Sequence, residues 1–139
     1  RNRQSKPRMS GGDTVPTVVK VNGVNVDIHF VENDDEMSKL IPGEKLGDAM
    51  GYAVTYPKLM VIIDKTVLEQ SHELPRMTLL HELLHIVSDL NGLSLTEKQV
   101  LGLETGLYGM LKDNKDLREF MFKETKKKTK RPPKKGKGY

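Results

Sequence analysis

The sequence predicts an α+β fold: a small, mostly antiparallel sheet made of two hairpins, packed on a long apolar helix and on a second helix that follows it. Three observations predict it. Strand-like apolar stretches fill the first half of the chain and are broken at Asn22-Gly23 and at Tyr56-Pro57-Lys58. Helical periodicity takes over near Pro75 and resumes after Asn91-Gly92. The 139 residues are 36% hydrophobic, enough for one modest core, and contain no cysteine that would staple a smaller one. The expected organisation is a basic, disordered N-terminal tail (1–13), one domain (14–122) and a basic, disordered C-terminal tail (123–139).

Taken in order, residues 14–21 and 24–31 flank Asn22-Gly23, a pair suited to a type I′ turn because both central residues need φ > 0. In the second strand Val24, Val26, Ile28 and Phe30 alternate with Asn25, Asp27 and His29, which places His29 on the wet face as an ordinary surface histidine. Residues 32–48 are acidic and broken by Pro42-Gly43, a loop with one helical turn around residues 36–40. A second hairpin joins residues 51–55 to residues 59–64, and the apolar run from Leu59 to Ile63 predicts a strand covered on both sides. Pro75 suits the first turn of the next helix, where its missing N–H has no partner to lose, and Asn91-Gly92 supplies the stop. Thr96 with Gln99 forms a capping box for a helix over residues 97–112. Gly102, Gly106 and Gly109 share one side of it, which predicts either close approach of another backbone or a frayed helix. Residues 115–122 form a short last helix, with Leu117, Phe120 and Met121 turned toward the core.

The chemistry concentrates in His81-Glu82-Leu83-Leu84-His85, an H-E-x-x-H motif. At a spacing of four, two imidazoles lie one above the other on a helical face and can share one Zn²⁺, and Glu82 then sits where a general base would take a proton from water. Leu79, Leu80, Leu83, Leu84, Ile86, Val87 and Leu90 cover half or more of the helical wheel. Thr78, His81, Glu82, His85, Ser88 and Asp89 share the remaining arc. Such a helix is largely buried, so the arc faces a cleft; the plainer alternative is that it is the solvent side of an amphipathic helix.

Zinc catalysis wants a third protein ligand, and without cysteine that ligand is a carboxylate or a histidine. The candidates downstream are Glu97 and Glu104. In a tight antiparallel helical hairpin Glu104 returns level with the motif; a wide crossing angle brings in Glu97 instead. Tyr52, Tyr56, His72 and Tyr108 are candidates for stabilising an oxyanion, and Asp89 for orienting an imidazole. The strand over residues 59–64 is a candidate for holding an extended peptide by edge pairing.

Leu80-His-Glu-Leu-Leu-His85, Gly92-Leu-Ser-Leu-Thr-Glu-Lys-Gln-Val100 and Gly106-Leu-Tyr-Gly-Met-Leu-Lys-Asp-Asn114 together resemble the small zincin-like metallopeptidases of bacteriophages and mobile elements, akin to the ImmA/IrrE type. The resemblance covers roughly residues 59–117. It implies a minimal zincin-like fold, hydrolysis of peptide bonds in a protein or peptide substrate, and a gluzincin-type zinc site of His81, His85 and Glu97 with Glu82 as catalytic base. It thus favours Glu97 where hairpin geometry favours Glu104. Two features of the family are missing, a helix-turn-helix domain and the Ala-Asn-x-Phe-Ala signature after the glutamate, so cleavage of a transcriptional repressor is not implied.

Charge divides sharply along the chain. The formal net charge is +4, yet residues 14–122 carry 10 basic and 17 acidic residues, and the excess of lysine and arginine lies wholly in the two ends. The lysine-rich end fits the phosphates of a nucleic acid or an acidic partner, or serves only to keep the protein in solution. The second functional reading is therefore a non-catalytic, zinc-stabilised phage accessory protein that binds a host protein or nucleic acid through these ends. A third, a SprT-like protease acting on DNA-bound proteins, wants a histidine after His85, and none follows. No apolar run approaches the ~20 residues of a membrane span, and the N-terminal residues lack the apolar stretch of a signal peptide, so a cytoplasmic protein without membrane contact is expected.

Overall fold

The structure, a computed structural model, describes residues 14–123. The expectations for the basic ends therefore lie outside the described residues, Lys123 excepted. The chain divides into two compact units, residues 1–108 and residues 109–139, which are treated separately below.

The first unit is an α+β structure built on a four-stranded mixed sheet. Strand β1 (Val18–Val21) and strand β2 (Val24–Val31) form the first hairpin, with Val21 opposite Val24. Asn22 (φ 52°) and Gly23 (φ 77°) both adopt the left-handed conformation that a two-residue turn of this kind demands. Helix α1 (Asp34–Leu40) follows, then β3 (Gly51–Val54) and β4 (Met60–Asp64), which form the second hairpin in the register Gly51↔Ile63 to Val54↔Met60. The strand order is β1-β2-β4-β3, with β2 and β4 parallel.

That parallel pair is the feature that local sequence pattern does not announce. Residues 32–50 carry the chain from the end of β2 across to the far edge of the sheet, so the second hairpin enters with its returning strand beside β2. Two readings change as a result. Strand β4 is paired along both edges, which removes it as a strand that a peptide could pair with, and its continuous apolar run follows from apolar cover on both faces of the sheet; among the described residues the edge strands are β1 and β3. Helix α1 is also longer than the single turn read from the sequence. Asn33 caps it, its Oδ1 accepting from the Glu36 N–H at 2.9 Å, while the Glu36 carboxylate accepts from the Glu32 N–H at 2.7 Å.

Alternation along the strands gives the sheet two apolar faces. Val26, Ile28, Val61 and Ile63 face helix α2 (Glu73–Leu90), which covers them with Leu79, Leu83, Ile86 and Val87. Val31, Met60 and Ile62 face the other way, where Met37 of α1 together with Ile41 and Leu46 closes them off. His29 points to that second side and is half-buried rather than fully wet; burial lowers its pKa, with Asp27 opposing and Lys58 adding to the shift. A 3-10 turn (Lys65–Glu69), capped by the Asp64 carboxylate on the Thr66 N–H at 3.0 Å, leads from β4 toward α2.

Helix α3 (Glu97–Asp113) begins where the capping box places it. The Thr96 hydroxyl accepts from the Gln99 N–H at 3.1 Å and the Gln99 amide oxygen accepts from the Thr96 N–H at 2.9 Å. Its glycines resolve differently from both expectations: the helix is continuous, and a Cβ placed at Gly102, Gly106 or Gly109 would meet nothing within 4 Å.

In the second unit, helix α4 (Lys115–Phe122) is tied to the end of α3 by Arg118, whose guanidinium donates to the carbonyls of Leu111 and Lys112. Of its apolar side chains Leu117 is half-buried, while Phe120 is 88% exposed and Met121 55%. One reason is composition, since four of its eight residues, Lys115, Asp116, Arg118 and Glu119, are charged.

Candidate metal centre

The rotation of α2 about its own axis is fixed by the apolar residues that cover the sheet, and the polar arc is carried round to the flank shared with α3 and β3. That arc is not the solvent side of the helix. Thr78, Glu82 and Ser88 are only 6%, 8% and 3% exposed, and His81 and His85 are half-buried. The helix stops at Asn91, whose side chain returns to the Val87 carbonyl at 2.9 Å. Ser88 holds the turn that follows, its carbonyl accepting from the Leu93 N–H at 2.9 Å and its hydroxyl from the Leu95 N–H at 2.9 Å.

This connection delivers two glutamates, two helical turns apart on α3, to the histidine pair. The Glu97 carboxylate lies between the two imidazoles, 2.9 Å from His81 Nε2 through Oε2 and 2.9 Å from His85 Nε2 through Oε1. Glu104 takes the other ring nitrogen, its Oε1 2.7 Å from His81 Nδ1. The alternatives left by the sequence thus become two different positions: Glu97 faces both Nε2 atoms, while Glu104 sits behind His81. Ligand atoms of His81, His85 and Glu97 all lie within 4.8 Å of one another, the spacing at which one ion could touch all three.

Electrostatics sort the groups further. Burial alone would lower the His81 pKa, but the Glu104 hydrogen bond and the charges of Glu82, Glu97 and Glu104 outweigh it and raise the net value. Glu82 is pushed up as well, chiefly by burial, with Glu97 and Glu104 adding and the two histidines opposing. A buried carboxyl raised in this way is a stronger base when ionised than one in water. Glu97 is 63% exposed at its side chain against 12% for Glu104, so the carboxylate that bridges the histidines is the open one and the one behind His81 is enclosed.

The other candidates separate by position. Tyr56 is 87% exposed in the turn between β3 and β4, and Tyr52 packs on the sheet face away from α2. His72 is exposed before the first turn of α2, nine residues from His81, or ~13 Å along a helix. Asp89 is exposed at the end of α2. Tyr108, half-buried one turn past Glu104, remains on the same stripe of α3 as the two glutamates. A cavity of about 310 Å³, lined by Val15, Phe30, Leu68 and Leu79 with Thr14 and Arg76, shares no residue with the histidine site.

The sequence matches no protein-family model, and comparisons with characterised proteins and with solved structures give no significant match. Among the described residues no helix is long and apolar enough to cross a membrane.

Proposed function

We propose that this chain is a zinc-dependent peptidase of minimal zincin-like type, as its resemblance to the ImmA/IrrE group implies. One observation carries the reading: His81 Nε2, His85 Nε2 and the Glu97 carboxylate converge, with the buried, basicity-raised Glu82 one residue round the helix from His81. Two neutral imidazoles and one carboxylate form a donor set that suits zinc, and with three protein ligands one position stays open. Bound there, zinc would act as a Lewis acid and acidify a water in that open position.

The chain's own residues supply the rest. Glu104 holds His81 by Nδ1, so that Nε2 is the nitrogen turned toward Glu97 and His85. Glu82 accepts a proton from water and can return it to the leaving amine. Strand β3, a free edge beside Glu82, offers backbone groups to which an extended peptide can add as a further strand. Residues 14–122 carry 10 basic against 17 acidic residues, so the positive charge that could draw in nucleic acid lies in the ends of the chain.

Elemental analysis of the purified protein tests the metal. About one zinc per chain is expected, lost in His81→Ala, while Glu82→Gln keeps the zinc and loses cleavage of an unstructured protein substrate by about 10²-fold or more. A protein that takes up no zinc at neutral pH, or a Glu82→Gln variant that cleaves as well as wild type, would overturn the proposal.

A further inference from the structure

Gly51 opens the edge strand β3 and pairs with Ile63 in the sheet. Its backbone does not occupy the left-handed region, so no turn geometry calls for glycine there. Glycine inside a strand costs stability relative to alanine, which raises the question of what the missing side chain makes room for. The answer is Glu82. A Cβ at Gly51 would lie 2.9 Å from Glu82 Cγ, 3.1 Å from Glu82 Oε2 and 3.2 Å from Thr78 Cγ2. The first of these is shorter than carbon atoms tolerate, and it falls on the stem of a side chain that is 92% enclosed rather than on a free tip.

On the reading that Glu82 is the general base, we infer that Gly51 is its positioning residue: the bare backbone of β3 is the wall that, with Thr78 one turn back on α2, fixes where the Glu82 carboxylate stands. A base works only within hydrogen-bond reach of its proton, and displacement by about 1 Å can cost ~10²-fold in rate. Ala53, the next residue of β3 on the same face, is also small, so helix and edge strand run close together along this stretch. Gly51 therefore sets the geometry without contacting the substrate's reacting atoms.

The test is a double-mutant cycle on the metal-free protein, read by thermal unfolding, together with kinetics. Gly51→Ala alone should lower Tm by several degrees. Combined with Glu82→Ala it should lower Tm by much less than in wild type, because the two shortest contacts are gone and only Thr78 Cγ2 at 3.2 Å remains. Combined with the isosteric Glu82→Gln it should still lower Tm, since the conflict is one of volume. In the zinc-loaded enzyme Gly51→Ala should retain one zinc per chain and lose at least about tenfold in kcat with KM within about twofold. The same Tm shift in all three backgrounds, or coupling without a fall in kcat in an active enzyme, would overturn the inference. Coupling in a protein that binds zinc but cleaves nothing would leave Gly51 as the residue that positions Glu82 and sink the peptidase reading instead.

Discussion

Burying Glu82 works against the fold, and the sign of that cost can be measured. A carboxyl whose folded pKa lies above its unfolded value, about 4.3, contributes its full stability below the unfolded value and loses it as pH rises through the folded one. Metal-free wild type should therefore be less stable than Glu82→Gln at pH 7, with the gap in Tm closing as the pH falls through the folded value toward the unfolded one. Equal Tm values at pH 7 would contradict the burial argument. His29 shifts the other way: its folded pKa is lowered, so the folded state resists protonation. Stability is then lost as pH falls below about 6.5, the unfolded value, and levels off beneath the folded one. His29→Gln should flatten that part of a pH–Tm curve, and an unchanged slope would show that another group carries it. Glu104 has a distinct signature. In the proposed zinc site, Glu104→Ala should weaken metal binding by about 10–100-fold without abolishing it, whereas Glu97→Ala should weaken it far more; competition with a chelator of known affinity separates the two.

At the scale of elements, α3 carries two devices of opposite effect on stability. Its capping box fixes the first helical residue as Glu97, so Thr96→Ala should cost about 1 kcal/mol in chemical denaturation and also loosen zinc binding by displacing that carboxylate. Gly102 and Gly106 have open space where a Cβ would stand, so Gly102→Ala and Gly106→Ala should each stabilise by roughly 0.5–1 kcal/mol. A loss on either substitution would reveal a neighbour at that face. These same elements show what could be read from the sequence. The Asn22-Gly23 hairpin, the Thr96–Gln99 cap and the span of α4 follow from rules that reach across only a few residues, and they were legible. Helix α1 had such a signal too, since Asn33 stands three residues before Glu36, and the acidic run around it masked that cap. The division of roles between Glu97 and Glu104 was not legible, because it depends on how α3 crosses α2 rather than on either helix alone. Gly51 was silent for the same reason: nothing local to a strand says that a buried carboxylate lies above it.

For the whole molecule, the parallel β2–β4 pair joins two locally formed hairpins through a long-range contact, with α2 laid across the seam by Ile86. The histidine site lies entirely within residues 1–108. Removing residues 115–139 should therefore leave zinc stoichiometry unchanged, and loss of zinc from that shortened protein would show that the second unit supports the first. Charge makes a sign prediction as well: residues 1–114 carry 12 basic and 16 acidic residues, so the shortened protein should migrate as an anion at pH 7, whereas the 139-residue chain carries a net +4.

The turn held by Ser88 sets the spacing between the motif helix and the two glutamates. Because the carbonyl and the hydroxyl of Ser88 both accept from the backbone of the connection, a change of one residue in its length would give up one of these bonds or shift the start of α3, and Glu97 with it. Eleven residues separate His85 from Glu97, and six separate Glu97 from Glu104. Those two intervals act as a ruler. Chains too diverged to align along their length should still keep H-E-x-x-H, eleven residues, glutamate, six residues, glutamate, with a glycine opening the strand that borders the motif helix.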